Sequence, residues 1–147
     1  MADECEIVSK IVNLLSRNDS IKTFKHCLWA LSNFIANGGE FPLKFVFTEG
    51  ACERVVNLAM SYNVEICLES IWVICNAINC GCRQTQWGLI NKTDGRVIEA
   101  LLRGLNHNKE SKLVKEILES LTKFIILADE QGQAAKLQEL SIYQIMK

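Results

Sequence analysis

The sequence predicts an all-α protein built from stacked helical repeats, and three observations lead to this fold class. Apolar residues recur at steps of three and four along most of the 147-residue chain, which is the periodicity of amphipathic helices. The chain has one proline and eight glycines, so it contains few of the residues that interrupt helices. A Trp-x-x-x-Asn segment also occurs twice, which indicates an internal repeat.

The first two helices are predicted at residues 4–17 and 20–37. The apolar face of the first helix is formed by Cys5, Val8, Ile11, Val12 and Leu15. The apolar face of the second is formed by Phe24, Leu28, Leu31, Phe34 and Ile35. An N-cap for the second helix is available at Asn18, Asp19 or Ser20, and the Asn-Gly-Gly segment at 37–39 is suited to end it.

Shorter helices follow in the predicted order. Pro42 lies near the start of one, where its missing N–H is tolerated. Gly50 opens another at residues 50–61, whose inward positions are Ala51, Val55, Leu58 and Ala59. Trp87 falls in a short connecting helix and is interpreted as a packing residue, and a last helix is predicted at residues 132–145.

The internal repeat has a spacing of 43 residues in its clearest part. The matched pairs are Trp29 with Trp72, Asn33 with Asn76, and Gly38 with Gly81. A weaker third copy follows, in which residues 116–123 resemble residues 69–76 at a spacing of 47. A period of roughly 40–47 residues with two or three helices per unit is typical of armadillo and HEAT repeats.

The predicted organisation is a single armadillo repeat domain over residues 1–147. It comprises a partial repeat 1–38, repeats 39–81 and 82–130, and a trailing helix 131–147. Such a domain forms a right-handed α-solenoid of about two and a half to three repeats. Both ends are expected to be truncated, so that the chain is a fragment, a divergent minimal protein or one part of a larger chain.

The long third helix of each unit carries a polar stripe beside its apolar one. The stripe reads Lys22, His26, Trp29 and Asn33 in the first copy, and Glu65, Glu69, Trp72 and Asn76 in the second. A single Trp is most often a core residue, and a single Asn could tie neighbouring helices together as a buried amide. Repetition of both residues at one position in the solenoid favours a binding surface over that interpretation.

Two segments, at residues 26–38 and 69–81, resemble the third-helix motif E-A-x-W-A-x-x-N-x-x-x-G of the importin-α armadillo family. The segment at residues 117–132 is similar to the late, degenerate repeat of that family, with Glu119 and Lys123 at the Trp and Asn positions. The resemblance spans nearly the whole chain. It implies that the chain corresponds to the C-terminal repeats of the family, around the family's minor site for nuclear localisation signals.

This resemblance implies a groove that binds basic, Lys/Arg-rich signal peptides. Trp29 and Trp72 would form walls for the stems of Lys or Arg, with cation–π attraction to their heads. Asn33 and Asn76 would hold the peptide backbone. The acidic contacts would come from Glu69 and Glu65, and Ser32 would add a hydrogen bond from the groove edge.

The first repeat departs from the family pattern. His26 stands where the second repeat has Glu69, and Lys22 lies one turn away with Lys25 adjacent, so this half of the groove is less acidic. The importin-β-binding arm is absent from the chain. The resemblance implies a nuclear import adaptor fragment that occurs in the cytoplasm and the nucleus.

Composition and motifs exclude several other classes. The 16 basic and 17 acidic residues give a net charge of −1, which argues against a nucleic-acid partner, and the longest apolar run of five residues is too short to span a membrane. The acidic N-terminus is unlike a signal peptide. No nucleophile, phosphate-loop or HExxH motif indicates an enzyme, and no cofactor is expected.

The seven cysteines are interpreted as buried or incidental thiols. Cys75, Cys80 and Cys82 form a C-x4-C-x-C segment, which lacks the four converging ligands of a structural zinc site, so no metal is expected. The alternative function is an armadillo scaffold that binds an unrelated partner or self-associates through its exposed ends.

Overall fold

The computed structural model describes residues 4–17, 20–107 and 110–130, which contain eight α-helices. These are α1 (Glu4–Ser16), α2 (Ile21–Ala36), α3 (Phe41–Phe47), α4 (Ala51–Ala59), α5 (Val64–Cys80), α6 (Arg83–Lys92), α7 (Arg96–His107) and α8 (Ser111–Glu130). The described residues include no strand, so the predicted all-α class is confirmed. The helix predicted at residues 132–145 lies outside the described part of the chain.

Equivalent caps begin the two helices that carry the Trp-x-x-x-Asn motif. Ser20 Oγ accepts a hydrogen bond from the Thr23 N–H at 3.2 Å, and Asn63 Oδ1 accepts one from the Ile66 N–H at 3.0 Å. These side chains satisfy backbone donors that have no partner within the helix. Because the two caps are 43 residues apart, α2 and α5 start at equivalent points of the repeat.

Helices at equivalent positions of the repeat pack against each other and form three rows. One row contains α1, α4 and α7, a second contains α2, α5 and α8, and the third contains α3 and α6. The predicted boundaries after residues 38 and 81 fall between α2 and α3 and between α5 and α6. The groups α3–α5 and α6–α8 therefore each stack on the helices before them in the chain. We call these two groups, and the first pair of α1 and α2, layers.

Repeated polar contacts fix the row of α1, α4 and α7. Arg54 Nε on α4 donates to the Leu15 carbonyl oxygen of α1 at 2.8 Å, and Arg96 Nη1 on α7 donates to Asn57 Oδ1 of α4 at 2.6 Å. Both pairs are separated by 39 residues in the chain. In both pairs, an arginine of the later helix therefore donates to an oxygen atom of the helix before it in the row.

The core follows α5, which packs against helices of all three rows. Its buried apolar residues are Ile66, Cys67, Ile71, Val73, Ile74, Cys75, Ala77 and Ile78. At the α3–α6 contact, a Cβ added to Gly88 would lie 2.7 Å from Val46 Cγ1. Glycine at this position thus permits the close approach of the two short helices.

Candidate functional site

An open pocket of about 670 Å³ lies between α2 and α5. Its lining residues are Ile21, Lys22, Lys25, His26, Trp29, Glu65 and Glu69. Four of the site residues predicted from the sequence lie together here, namely His26, Trp29, Glu65 and Glu69. The polar stripes of two successive layers therefore face one open space.

Trp29 is the most unusual side chain of this pocket, because 61% of it is exposed. Indole rings are normally buried to a large extent, and exposed aromatic side chains are enriched at binding surfaces. In this structure Trp29 contributes little to the core, since the neighbouring residues Leu28 and Leu31 are fully buried on the other side of α2. Its indole face is free to contact a ligand.

The acidic wall of the pocket is partly neutralised by the chain itself. Lys25 Nζ lies 3.0 Å from Glu65 Oε2, so this lysine of α2 pairs with the carboxylate of α5. Glu65 was predicted to contact a cation of the ligand instead. The pair is largely exposed and consequently weak, so a stronger cationic ligand can compete with Lys25 for it.

Glu69 is half-buried, and no ion pair of this carboxylate is found among the described residues. Desolvation by burial raises the pKa of Glu69 above its ordinary value, and the nearby Glu110 and Glu65 raise it further, while Lys25 acts in the opposite direction. A half-buried carboxylate without a partner gains most when a cation approaches. Glu69 is therefore the acidic group best suited to bind a ligand cation.

Trp72 has a different environment from Trp29, although both occupy the same position of the repeat. Trp72 is half-buried against the core, and Lys112 Nζ of α8 lies 5.9 Å from the centre of its ring. This distance is within the range of a cation–π contact. The chain thus places one of its own lysines where the sequence resemblance implies a ligand lysine.

The two motif asparagines also differ. Asn76 Nδ2 on α5 donates to the Ser32 carbonyl oxygen of α2 at 3.1 Å, so this amide connects two helices of one row. Asn33 on α2 is exposed. The interpretation of a tie between helices therefore applies to Asn76, whereas Asn33 presents its amide to solvent.

Ser32, which was predicted to add a hydrogen bond from the groove edge, does not line the pocket. Ser32 is buried, with 7% exposed, and its hydroxyl donates to the Trp29 carbonyl oxygen within α2. The residue lies next to Leu31 on the inward face of the helix, so its side chain does not reach the groove edge.

Two further lining residues, Ile21 and Lys25, were not among the predicted site residues, although Lys25 was expected to make this half of the groove less acidic. With Trp29, they form a series at steps of four, which places all three on one face of α2. This spacing was visible in the sequence. The predicted polar stripe begins at Lys22 and includes neither residue.

The cysteine segment gives no metal site in the described residues, where no group of three or more His, Cys, Asp and Glu side chains converges. Cys75 is buried, and this burial raises its pKa to about 12, whereas Cys80 and Cys82 are exposed. A hydrogen bond with Thr85 lowers the pKa of Cys82.

The last described helix, α8, exposes apolar side chains on one face. Leu118 is 50% exposed, Ile125 is 61% exposed and Ile126 is 52% exposed. At the position equivalent to Asn76, Lys123 Nζ donates to the Asn79 carbonyl oxygen at 3.3 Å, so α8 is also tied to α5.

None of the helices in the described residues is both long and apolar enough to cross a membrane. No protein-family model matches the sequence, and no curated protein matches it. The geometry of the pocket between α2 and α5, together with the sequence resemblance, is therefore the basis for assigning a function.

Proposed function

We propose that this chain is an armadillo-type peptide-binding module, similar to importin-α, which binds basic peptides of the nuclear-localisation type in the pocket between α2 and α5. The observation that carries the proposal is that the exposed indole of Trp29 and the half-buried carboxylate of Glu69 line the same pocket. We also propose that the stacked helices of this chain form a right-handed superhelix. An adaptor of this kind would act in the cytoplasm and the nucleus.

The arrangement of the helices supports the armadillo part of the proposal. Groups of three helices follow each other in the chain, and each helix packs on its counterpart about 40 residues away. The long third helices, α2 and α5, run in the same direction, because Lys25 contacts Glu65 near their starts and Ser32 contacts Asn76 near their ends. Parallel third helices are what an armadillo groove requires.

Binding would use two contacts in the pocket and a third at Asn33, which lies one turn after Trp29 on α2 and does not line the pocket. The methylene stem of a ligand Arg or Lys packs on the Trp29 indole, and its cationic head pairs with Glu69. The exposed amide of Asn33 donates and accepts hydrogen bonds with the peptide backbone, independently of the peptide sequence. Asn76 is tied to α2 and contributes by fixing the distance between α2 and α5.

The internal lysines limit how many basic residues the site accepts. Lys25 offsets the charge of Glu65, and Lys112 lies over Trp72. A ligand must displace these lysines before it uses the second indole or the second carboxylate. We therefore expect one well-bound basic residue at Trp29, and weaker contacts for the rest of a basic cluster.

The proposal predicts that Glu69→Gln weakens binding of a fluorescently labelled Arg-rich peptide. We expect the dissociation constant to rise about three- to tenfold, because the amide keeps the shape of the side chain but removes its charge. Fluorescence anisotropy measures the change. Glu40→Gln removes the same charge at an exposed position before α3 and serves as the control.

The same titration checks the electrostatic origin of binding. Affinity should fall as the salt concentration rises, since counterions screen the contact with Glu69. Equal affinities of the Glu69→Gln variant and the unchanged protein, at low and high salt, would contradict the proposed role of Glu69.

Self-association through α8 is a second candidate function, favoured by the exposed Leu118, Ile125 and Ile126. Apolar surface of this kind often marks a contact between proteins. Light scattering over a range of concentrations tests it, with Leu118→Lys as the variant. A mass that increases with concentration in the unchanged protein, but not in the Leu118→Lys variant, supports this candidate. A constant monomer mass of the unchanged protein contradicts it.

A further inference from the structure

The pocket between α2 and α5 has two oppositely charged walls. Lys22, Lys25 and His26 line it from α2, whereas Glu65 and Glu69 line it from α5. A ligand that carries only positive charge therefore meets repulsion on one side. A ligand that carries only negative charge meets repulsion on the other, which disfavours a polyanion such as nucleic acid.

The contact between Lys25 and Glu65 simplifies this charge pattern. Since these two side chains neutralise each other at 3.0 Å, the unbalanced groups are Glu69 on α5 and Lys22 on α2. Lys22 and His26 are both exposed and are four residues apart, so they share one face of α2. His26 adds a hydrogen-bond donor beside the charge of Lys22.

The two unbalanced regions are separated along the axis of α2. Trp29 and Glu69 each lie four residues after the Lys25–Glu65 pair on helices that run in the same direction, so they lie at the same level of the pocket. This level is about 5 Å beyond His26 and about 10 Å beyond Lys22, at 1.5 Å per residue. In an extended peptide, side chains on the same side at positions i and i+2 are about 7 Å apart. This distance lies between the separation of Trp29 from His26 and the separation of Trp29 from Lys22 along α2.

We propose that the pocket selects an extended peptide in which a basic and an acidic residue are separated by one residue. The basic side chain stacks on Trp29 and pairs with Glu69, and the acidic side chain contacts Lys22 and His26. This inference rests on the proposed function and specifies the peptide class. It narrows the proposed function, because the lysines on the wall formed by α2 disfavour a second basic side chain there.

The test uses labelled peptides that differ only in the second charged residue. Arg-Ser-Asp, Arg-Ser-Asn and Arg-Ser-Arg cores with identical Gly/Ser flanks are compared, and Asp-Ser-Arg covers the opposite chain direction. We expect one of the two mixed-charge peptides to bind about two- to fivefold tighter than the Arg-Ser-Asn peptide, and Arg-Ser-Arg to bind no tighter than it.

Charge reversal at Lys22 provides the decisive comparison. In the Lys22→Glu variant the order of peptide affinities should invert, so that Arg-Ser-Arg becomes the tightest ligand. The control variant Lys115→Glu on α8 should preserve the order of affinities of the unchanged protein. Arginine peptides that all bind equally, or an Arg-Ser-Arg peptide that binds tightest to the unchanged protein, would overturn this inference and leave the proposed function standing. If no arginine peptide binds, the proposed function fails together with it.

Discussion

Trp29→Ala should weaken binding of an Arg-containing peptide about tenfold or more. The substitution removes both the apolar surface for the arginine stem and the ring face for its charge. Because 61% of Trp29 is exposed, little core packing is lost, and the free energy of unfolding should change by no more than about 0.5 kcal/mol. Isothermal titration calorimetry measures the affinity, and urea unfolding verifies the stability.

Tyr62 provides the matched control for this substitution. Its side chain is 99% exposed, and it does not line the pocket. Tyr62→Ala therefore removes an exposed aromatic ring and should leave the affinity unchanged. Equal losses in the two variants would mean that exposed aromatic surface in general, and not the pocket, binds the peptide.

Ile71→Ala should lower the free energy of unfolding by about 2–5 kcal/mol, which is a large fraction of the stability of an ordinary domain. Ile71 lies in the centre of α5 and is fully buried. At the α7 contact, a Cβ built on Gly104 would lie 3.3 Å from Ile71 Cγ1, so the packing around this side chain is tight. Such a site cannot easily close over the cavity that alanine leaves.

Urea unfolding followed by circular dichroism measures this loss, with an unchanged slope against denaturant. Ile125→Ala is the control, since 61% of Ile125 is exposed on α8, and its effect should stay within about 0.5 kcal/mol. Similar losses for the two isoleucines would contradict the central position of α5 in the core.

Local signals in the sequence predicted the helices well. The apolar spacing, the cap at Ser20 and the position of Pro42 reflect interactions within a few residues, and such interactions can be inferred from sequence alone. The 43-residue spacing also identified α2 and α5 as equivalent helices. Their side-by-side packing in the structure agrees with this equivalence.

The environments of equivalent residues were harder to predict, because they depend on neighbouring layers. Asn76 reaches back to α2, whereas no described helix lies in the corresponding place beside Asn33. Trp72 similarly receives Lys112 from the following layer. A repeated sequence motif therefore predicts which residues occupy equivalent positions, but the side chains that contact them differ from layer to layer.

The pairing of Lys25 with Glu65 illustrates the same limit. Residues 40 positions apart meet only when α2 and α5 pack with a particular shift along their axes, and the sequence does not specify that shift. The inward direction of Ser32, in contrast, could be inferred locally, since it follows the buried Leu31 on a helix that turns by about 100° per residue. The charge balance of the pocket thus became visible only in the folded chain.

The most direct test of the central claim is a two-dimensional NMR titration that follows the three indole N–H signals. Trp29, Trp72 and Trp87 give separate probes of the pocket, of the neighbouring layer and of α6. On addition of an arginine-containing peptide, the Trp29 signal should shift most and in a saturable way, while the Trp87 signal stays in place. A Trp29 signal that does not move while the peptide binds would contradict the proposed site.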